Sequence, residues 1–327
     1  MGNGAKIFAA ENPGSTVKAQ FIGDWGVAIQ KYAVSLAAGD IPDVGMVKRA
    51  WLAQLIPSGR IAPLDEILPQ SFLDVFRRPI RESLSLNGHI YALPADGFCE
   101  VLFYNKSLLA EGPPTTWEEL RTCAEALRPK LPQGAFPIGY MPFIEALWSA
   151  GGDVCSENRS GLDSPAALEA LEFTLSLRDA KLTHNAFLQD PDAGLRLFLS
   201  GDAAMTVASS ELLPEVIRAS FPVGIAPLPG KNGPISAFSD NALVVFTQNA
   251  QAKRESILSL LDFLTRVSAR TAGAASVRED IAATNTNPGL EQAFGVARNT
   301  PLTPSWGAIE FELARGLDLA ARWRLEK

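Results

Sequence analysis

Glu100-Val101-Leu102-Phe103-Tyr104-Asn105-Lys106, followed by Pro114-Thr115-Thr116-Trp117-Glu118-Glu119-Leu120, is the stretch whose reading decides the fold. Residues 100–104 form an apolar run of strand type. Asn105 suits the junction between that strand and a helix, because its side chain can cap. Thr116 is placed to cap a second helix that reaches Leu127, and Glu119, three residues later, completes a capping box. A buried strand feeding a capped helix is one step of a layered α/β structure.

The pattern continues in both directions. Toward the N-terminus, Val17–Ile22 reads as a strand between Pro13-Gly14 and Gly23. Asp24 is placed as the N-cap of a helix running to about Ala38, with Gly39 as its stop. Residues 43–47 and 90–93 are further short strands, with a helix over 51–56 between them. Toward the C-terminus, strands are expected at 137–140, 203–207, 223–226 and 242–246. Helices are expected at 143–150, 165–180, 193–200, 252–267 and 309–322. In the helix over 165–180, Leu168, Leu171 and Leu175 recur at helical spacing and mark its buried face. The alternation implies a mostly parallel sheet with helices on its faces.

The chain has 327 residues, of which 47% are hydrophobic, enough for two cores. A net charge of −7 argues against a nucleic-acid partner, which calls for a basic face. Cys99, Cys123 and Cys155 permit one internal disulfide at most and match no zinc spacing. His89 and His184 are the only histidines, and neither neighbours a nucleophile signature. No phosphate-binding glycine loop is present. The expectation is therefore no catalytic residue, no metal and no cofactor. No apolar stretch has the length of a membrane span. Met1–Ala10 lacks the basic start and apolar block of a leader peptide.

Six short motifs stand in one order: Gly39-Asp40-Ile41-Pro42-Asp43-Val44, Gly88-His89-Ile90-Tyr91-Ala92-Leu93-Pro94, Val101–Lys106, Pro114–Leu120, Gly201-Asp202-Ala203-Ala204-Met205 and Pro227-Leu228-Pro229-Gly230. Their order and spacing resemble the extracellular solute-binding proteins that feed ATP-binding cassette importers, in particular the sugar-binding group that includes maltose-binding proteins. The resemblance implies an α/β, two-lobed periplasmic-binding-protein-like II fold with a hinge and a ligand cleft. It places one lobe at 1–100 plus 231–276 and the other at 105–226 plus 285–327, with hinge crossings at 101–104, 227–230 and 277–284. It also implies a monomer that binds a carbohydrate or polyol, works with the permease subunits of an importer, and is periplasmic or otherwise extracytoplasmic. Residues 5–14 resemble the end of the family's first helix, so a leader and first strand are expected to lie outside this chain.

Sugars present apolar C–H faces and polar edges, so a sugar site wants aromatic plates together with carboxylates, amides and hydroxyls. On that chemistry and the resemblance, the candidates in the first lobe are Trp25, Lys48 and Arg49, with Asp96 and Phe98 at the hinge floor. Tyr140 stands for the opposite wall. Ser209, Ser210 and Glu211 follow the strand over 203–207, Asp240 and Asn241 precede the strand over 242–246, and Trp306 begins the last helix. Ala204-Met205-Thr206-Val207-Ala208-Ser209-Ser210 also looks like the glycerol-3-phosphate-binding members, which keeps a phosphorylated polyol open as ligand. Asp96 and Glu211 would repel a phosphate dianion. From another class, the alternatives are an enzyme of a small polar metabolite on an α/β scaffold, and a relative that binds nothing.

Overall fold

The computed structural model describes residues 2–23, 25–156, 159–184, 190–239, 241–281 and 287–325. Its main strands are β1 (Val44–Lys48), β2 (Ala92–Pro94), β3 (Glu100–Asn105), β4 (Phe136–Ile138), β5 (Ala203–Ser209), β6 (Val223–Ala226), β7 (Ser236–Ala237), β8 (Asn241–Val245) and β9 (Ala297–Arg298). The first sheet has the order β1-β8-β2 and the second β6-β3-β5-β4, while β7 and β9 form a separate parallel pair. The longer helices are α1 (Gly2–Glu11), α2 (Trp25–Ala38), α3 (Trp117–Leu127), α4 (Phe143–Ser149), α5 (Pro165–Asp179), α6 (Pro191–Ser200), α7 (Arg254–Ser268), α8 (Pro288–Val296) and α9 (Trp306–Leu325).

Side-chain alternation along β3 explains how helices cover both faces of the second sheet. Val101 and Phe103 join an apolar cluster with Leu195 and Phe198 of α6 and Leu290 and Phe294 of α8. Leu102 joins the other cluster, with Leu120 of α3, Leu147 of α4 and Leu177 of α5. The first cluster continues into the three-stranded sheet through Val47, Leu93 and Val244. Apolar packing thus joins the two sheets along one side.

Several local expectations hold. Thr116 accepts from the Glu119 amide at 3.2 Å, and the Glu119 carboxylate accepts from the amide and hydroxyl of Thr115, both at 2.7 Å. The reciprocal arm of the box thus lands one residue early. Trp117 lies flat on Phe173, centroids 4.1 Å apart, which locks α3 onto α5. Gly39 ends α2 in the left-handed region, φ +74°.

Three expectations are corrected. Val17–Ile22 forms no strand and pairs with no strand among the described residues, and Phe21 is exposed. The sheets are mostly antiparallel: β8 runs against both β1 and β2, β3 runs against both β5 and β6, and only β4–β5 is parallel within them. Each central strand, β8 or β3, begins directly after the chain arrives from the other sheet, so it enters opposed to its neighbours. On α5, Leu175 is buried and Leu171 partly so, but Leu168 is exposed, and Ala167, Ala170, Thr174 and Leu177 complete the buried face. Small residues let α5 approach α4 closely, which the leucine spacing does not reveal.

The passages between the sheets can be read from strand membership. β3 belongs wholly to the second sheet and β2 to the first, so residues 95–99 connect the two sheets. The return lies between the end of β6 at Ala226 and the start of β8 at Asn241. The third passage lies between Arg278, bridged to Phe76, and α8, which packs on β6. At the first passage a Cβ on Gly97 would stand 1.8 Å from the Ala275 carbonyl oxygen, while the Ala275 amide donates to the Gly97 carbonyl at 2.9 Å. Only glycine allows two backbones to cross this closely.

Candidate ligand-binding site

Strand direction fixes which ends of the two sheets face one another. In the first sheet, β1 ends at Lys48, β8 begins at Asn241 opposite Lys48, and β2 ends at Pro94 opposite Ala242. In the second, β3 begins at Glu100 opposite Ser209, where β5 ends. β4 runs parallel to β5, so the loop carrying Tyr140 leaves the sheet at the same end. The short passage 95–99 joins these two ends directly. Ligands of open α/β sheets sit beyond the carboxyl ends of strands, at such a junction.

On the first side, Asp96 accepts from the Asn241 amide at 2.8 Å and from the Phe98 backbone at 3.4 Å. Burial pushes its carboxyl above the usual carboxylate range, opposed by hydrogen bonds from Asn241 and Ser239 and by the charge of Lys48. The Asn241 side-chain oxygen is buried without a donor. A cavity of about 20 Å³, bordered by Pro94, Asp96, Ser239 and Asn241, lies beside this group. It has room for one water molecule, not a sugar.

On the second side stand Glu100, Tyr140 and Glu145, the last in the first turn of α4. Desolvation pushes Glu100 up to about 7. Desolvation, with repulsion from Glu100, pushes Glu145 up to about 8. Tyr140 is raised by burial and by both carboxylates. Glu100 thus bears on Glu145, and both carboxylates bear on Tyr140. Along β3, Glu100 shares a face with Leu102 and hence with the cluster that contains Ala50 and Trp306. Ala50 brings the loop after β1 against this end of the second sheet.

The expected site residues divide into groups. Lys48, Asp96 and Asn241 stand together at the end of the first sheet, and Tyr140 and Ser209 at the facing end of the second. Ser209 uses its hydroxyl to cap the turn at Glu211, whose side chain is exposed. Ser210 is fully buried, its hydroxyl accepting from the Cys99 amide at 3.1 Å. Phe98 is buried in the passage. Arg49 is buried and donates to the Ser83 carbonyl at 2.9 Å and to the Thr300 carbonyl, which ties the loop after β1 to the C-terminal segment. Trp306 is packed inside its cluster at 5% exposure. Asp240 and the side chain of Trp25 lie outside the described residues.

Sequence reading missed Glu100 and Glu145. Each is an acid inside an otherwise apolar run, Phe98-Cys99-Glu100-Val101-Leu102 and Phe143-Ile144-Glu145-Ala146-Leu147, and that misfit was the available signal. A larger hollow, about 510 Å³, opens beside Gly151-Gly152 and Ser164. Its acids are already engaged, Asp153 by Trp148 and Arg298 and Glu169 by Lys231. None of the expected site residues lines it. Among the described residues no cluster of three or more His, Cys, Asp or Glu side chains could hold a metal, the three cysteines are free, and no helix is long and apolar enough to cross a membrane.

This architecture, two sheets joined by short passages with polar groups on their facing ends, is that of a two-lobed solute receptor. Residues 2–270 match the bacterial extracellular solute-binding proteins, and the chain belongs to that family. It is 28% identical over 279 residues to a Brucella abortus protein that carries the name "Putative binding protein", covering 79% of this chain and 66% of that one. It is 24% identical over 296 residues to the sn-glycerol-3-phosphate-binding periplasmic protein UgpB of Escherichia coli K12, covering 80% and 66%. The chain thus spans just under two thirds of the length of these relatives. The maltose-bound MalE3 of Thermotoga maritima superposes with a TM-score of 0.78 at 25% identity, over 98% of this chain and 90% of that one.

Proposed function

We propose that this chain is the substrate-binding component of an ATP-binding cassette importer, and that it holds a carbohydrate or polyol between its two lobes. The observation that carries this reading is the convergence of Lys48, Asp96 and Asn241 with Glu100, Tyr140 and Ser209 on facing sheet ends. These are an ammonium, carboxylates, an amide and hydroxyls, groups that bind the polar edge of a sugar. The lobes are 2–94 with 241–281, and 100–226 with 288–325, and the chain crosses between them at 95–99, between β6 and β8, and between Ile281 and α8. The water-sized cavity at Asp96 means that a sugar enters only when the sheet ends part. Ligand contacts to both ends then favour the closed form by the difference in affinity between the two states. The closed surface is what the permease subunits read. The protein acts outside the cytoplasm, as a monomer, and has no reaction of its own.

A phosphorylated polyol is the second reading, favoured by the likeness to UgpB. The site weighs against it, since Asp96, and Glu100 and Glu145 wherever they ionise, would repel a phosphate dianion. The test is thermal protection of the full chain by glucose, galactose, maltose, sorbitol and glycerol 3-phosphate. Ligand at a hundred times its dissociation constant adds about 2.7 kcal/mol of stability. Protection that Asp96→Ala abolishes is the expected result. No protection by any of the five, or turnover of one of them, would contradict the reading.

A further inference from the structure

The loop after β1 reaches out of its own lobe. Arg49, Gln54 and Ser83 belong to the first lobe, and Thr300 and Pro304 to the second, where they lead into α9. Arg49 is 7% exposed. Its Nε donates to the Ser83 carbonyl at 2.9 Å, and its Nη1 donates to the Thr300 carbonyl. Further along, the exposed Gln54 donates from Nε2 to the Pro304 carbonyl at 3.0 Å. Between them Ala50 is buried in the cluster of the second lobe that holds Leu120, Leu147 and Trp306. The segment that accepts these bonds is fixed to the start of α9. The Trp306 amide donates to the Thr303 carbonyl at 3.2 Å, and the Ile309 amide to the Ser305 carbonyl at 3.0 Å. Arg49 directly follows Lys48, so these contacts stand on the ligand side of the passages between the lobes.

We propose that Arg49 and Gln54 form a latch of the closed state, which holds the lobes shut by bonds between them and not by bonds to the ligand. This rests on the reading of the chain as a receptor that closes, and it names residues that set how readily closing occurs. When the sheet ends part, the loop after β1 leaves residues 300–305, and both bonds across the lobes are lost to water. A hydrogen bond from a charged group shifts such an equilibrium by about tenfold or more. The Ser83 bond lies within the first lobe and so survives opening. It aims the guanidinium at Thr300 in advance, which reduces the side-chain freedom lost when the latch shuts. Lysine cannot replace it, because one ammonium does not reproduce two N–H groups fixed in a planar fork. A ligand favours the closed state, so a weaker latch also lowers apparent affinity by up to the same factor.

The experiment is small-angle X-ray scattering of the full chain without ligand, so its outcome does not depend on the identity of the guest. The proteins are the wild type, Arg49→Lys, Gln54→Ala and the double variant, each shown folded by circular dichroism and a cooperative melt. The expected result is a radius of gyration that rises in each single variant and most in the double one. The closed-to-open ratio of the double variant should fall about tenfold or more. Gln54 is exposed, so Gln54→Ala alone decides the matter if the Arg49 variants do not fold. A packing role for these residues would lower the melting temperature without expanding the folded chain. Equal radii in the wild type and every folded variant would therefore overturn the latch. That outcome leaves the receptor reading standing, because protection by a sugar or polyol tests the reading separately.

Discussion

Glu145 is the residue whose protonation couples most directly to stability. Its carboxyl is raised, so the native state holds the proton more tightly than the unfolded chain. The stability it contributes is fully present below its ordinary value of 4.5 and is lost as pH rises through about 8. Glu100, raised to about 7, acts with the same sign. Thermal melts of the unliganded chain from pH 5 to 8.5 should therefore fall steadily. Glu145→Gln should flatten that fall and exceed the wild type at pH 8.5 by at least about 1 kcal/mol. A variant that melts in parallel with the wild type at every pH would refute this assignment. Arg278 is the opposite case, a buried charge with its partners in place. It donates to Asp262 at 2.7 Å and Thr265 at 3.0 Å, and to the two Asp280 oxygens at 2.9 and 2.8 Å. Arg278→Ala leaves Asp262 and Asp280 without this partner and should cost about 3–5 kcal/mol in urea denaturation, since breaking a buried ion network is severe. A loss below about 1 kcal/mol would show the network to be a solvated one.

Among elements, α3 shows what local chemistry settles. The Thr116 cap satisfies the Glu119 amide, and Glu119 satisfies Thr115 in turn. Thr116→Ala should cost about 1 kcal/mol of stability, read from the denaturation midpoint. A midpoint within error of the wild type would mean that water replaces the cap. Elements defined by such signals were legible in the sequence: α3 by its box, α2 by Gly39, and β3 by its apolar run. Elements defined by tertiary partners were not. Val17–Ile22 carries a strand-like pattern but pairs with no strand among the described residues. The buried face of α5 mixes Ala167, Ala170 and Thr174 with Leu175 and Leu177, whereas Leu168, part of the same leucine spacing, is exposed. Strand direction depends on where the chain changes sheets, and no local signal encodes that.

At the scale of the molecule, the motif order pointed to two lobes, and the family match agrees. The short segment around Gly97, crossed by the backbone at Ala275, connects the two sheets. The site was partly legible. Asp96, Asn241 and Lys48 do meet, because all three flank strand ends that the sequence marked. Arg49, Ser210 and Trp306 have side chains suited to a ligand, but the fold employs them in packing or in bonds to backbone, which residue type alone does not disclose. The acids of the second wall escaped notice because they are embedded in apolar runs.

The central claim is that these two lobes close upon a small polar guest held between the facing sheet ends. Small-angle X-ray scattering tests it most directly. The full chain is measured alone and with a saturating amount of whichever sugar or polyol gives the greatest thermal protection, and Asp96→Ala serves as control. The account predicts that the radius of gyration falls on adding that ligand to the wild type and stays constant for the variant. An unchanged scattering curve at saturation in the wild type would contradict it.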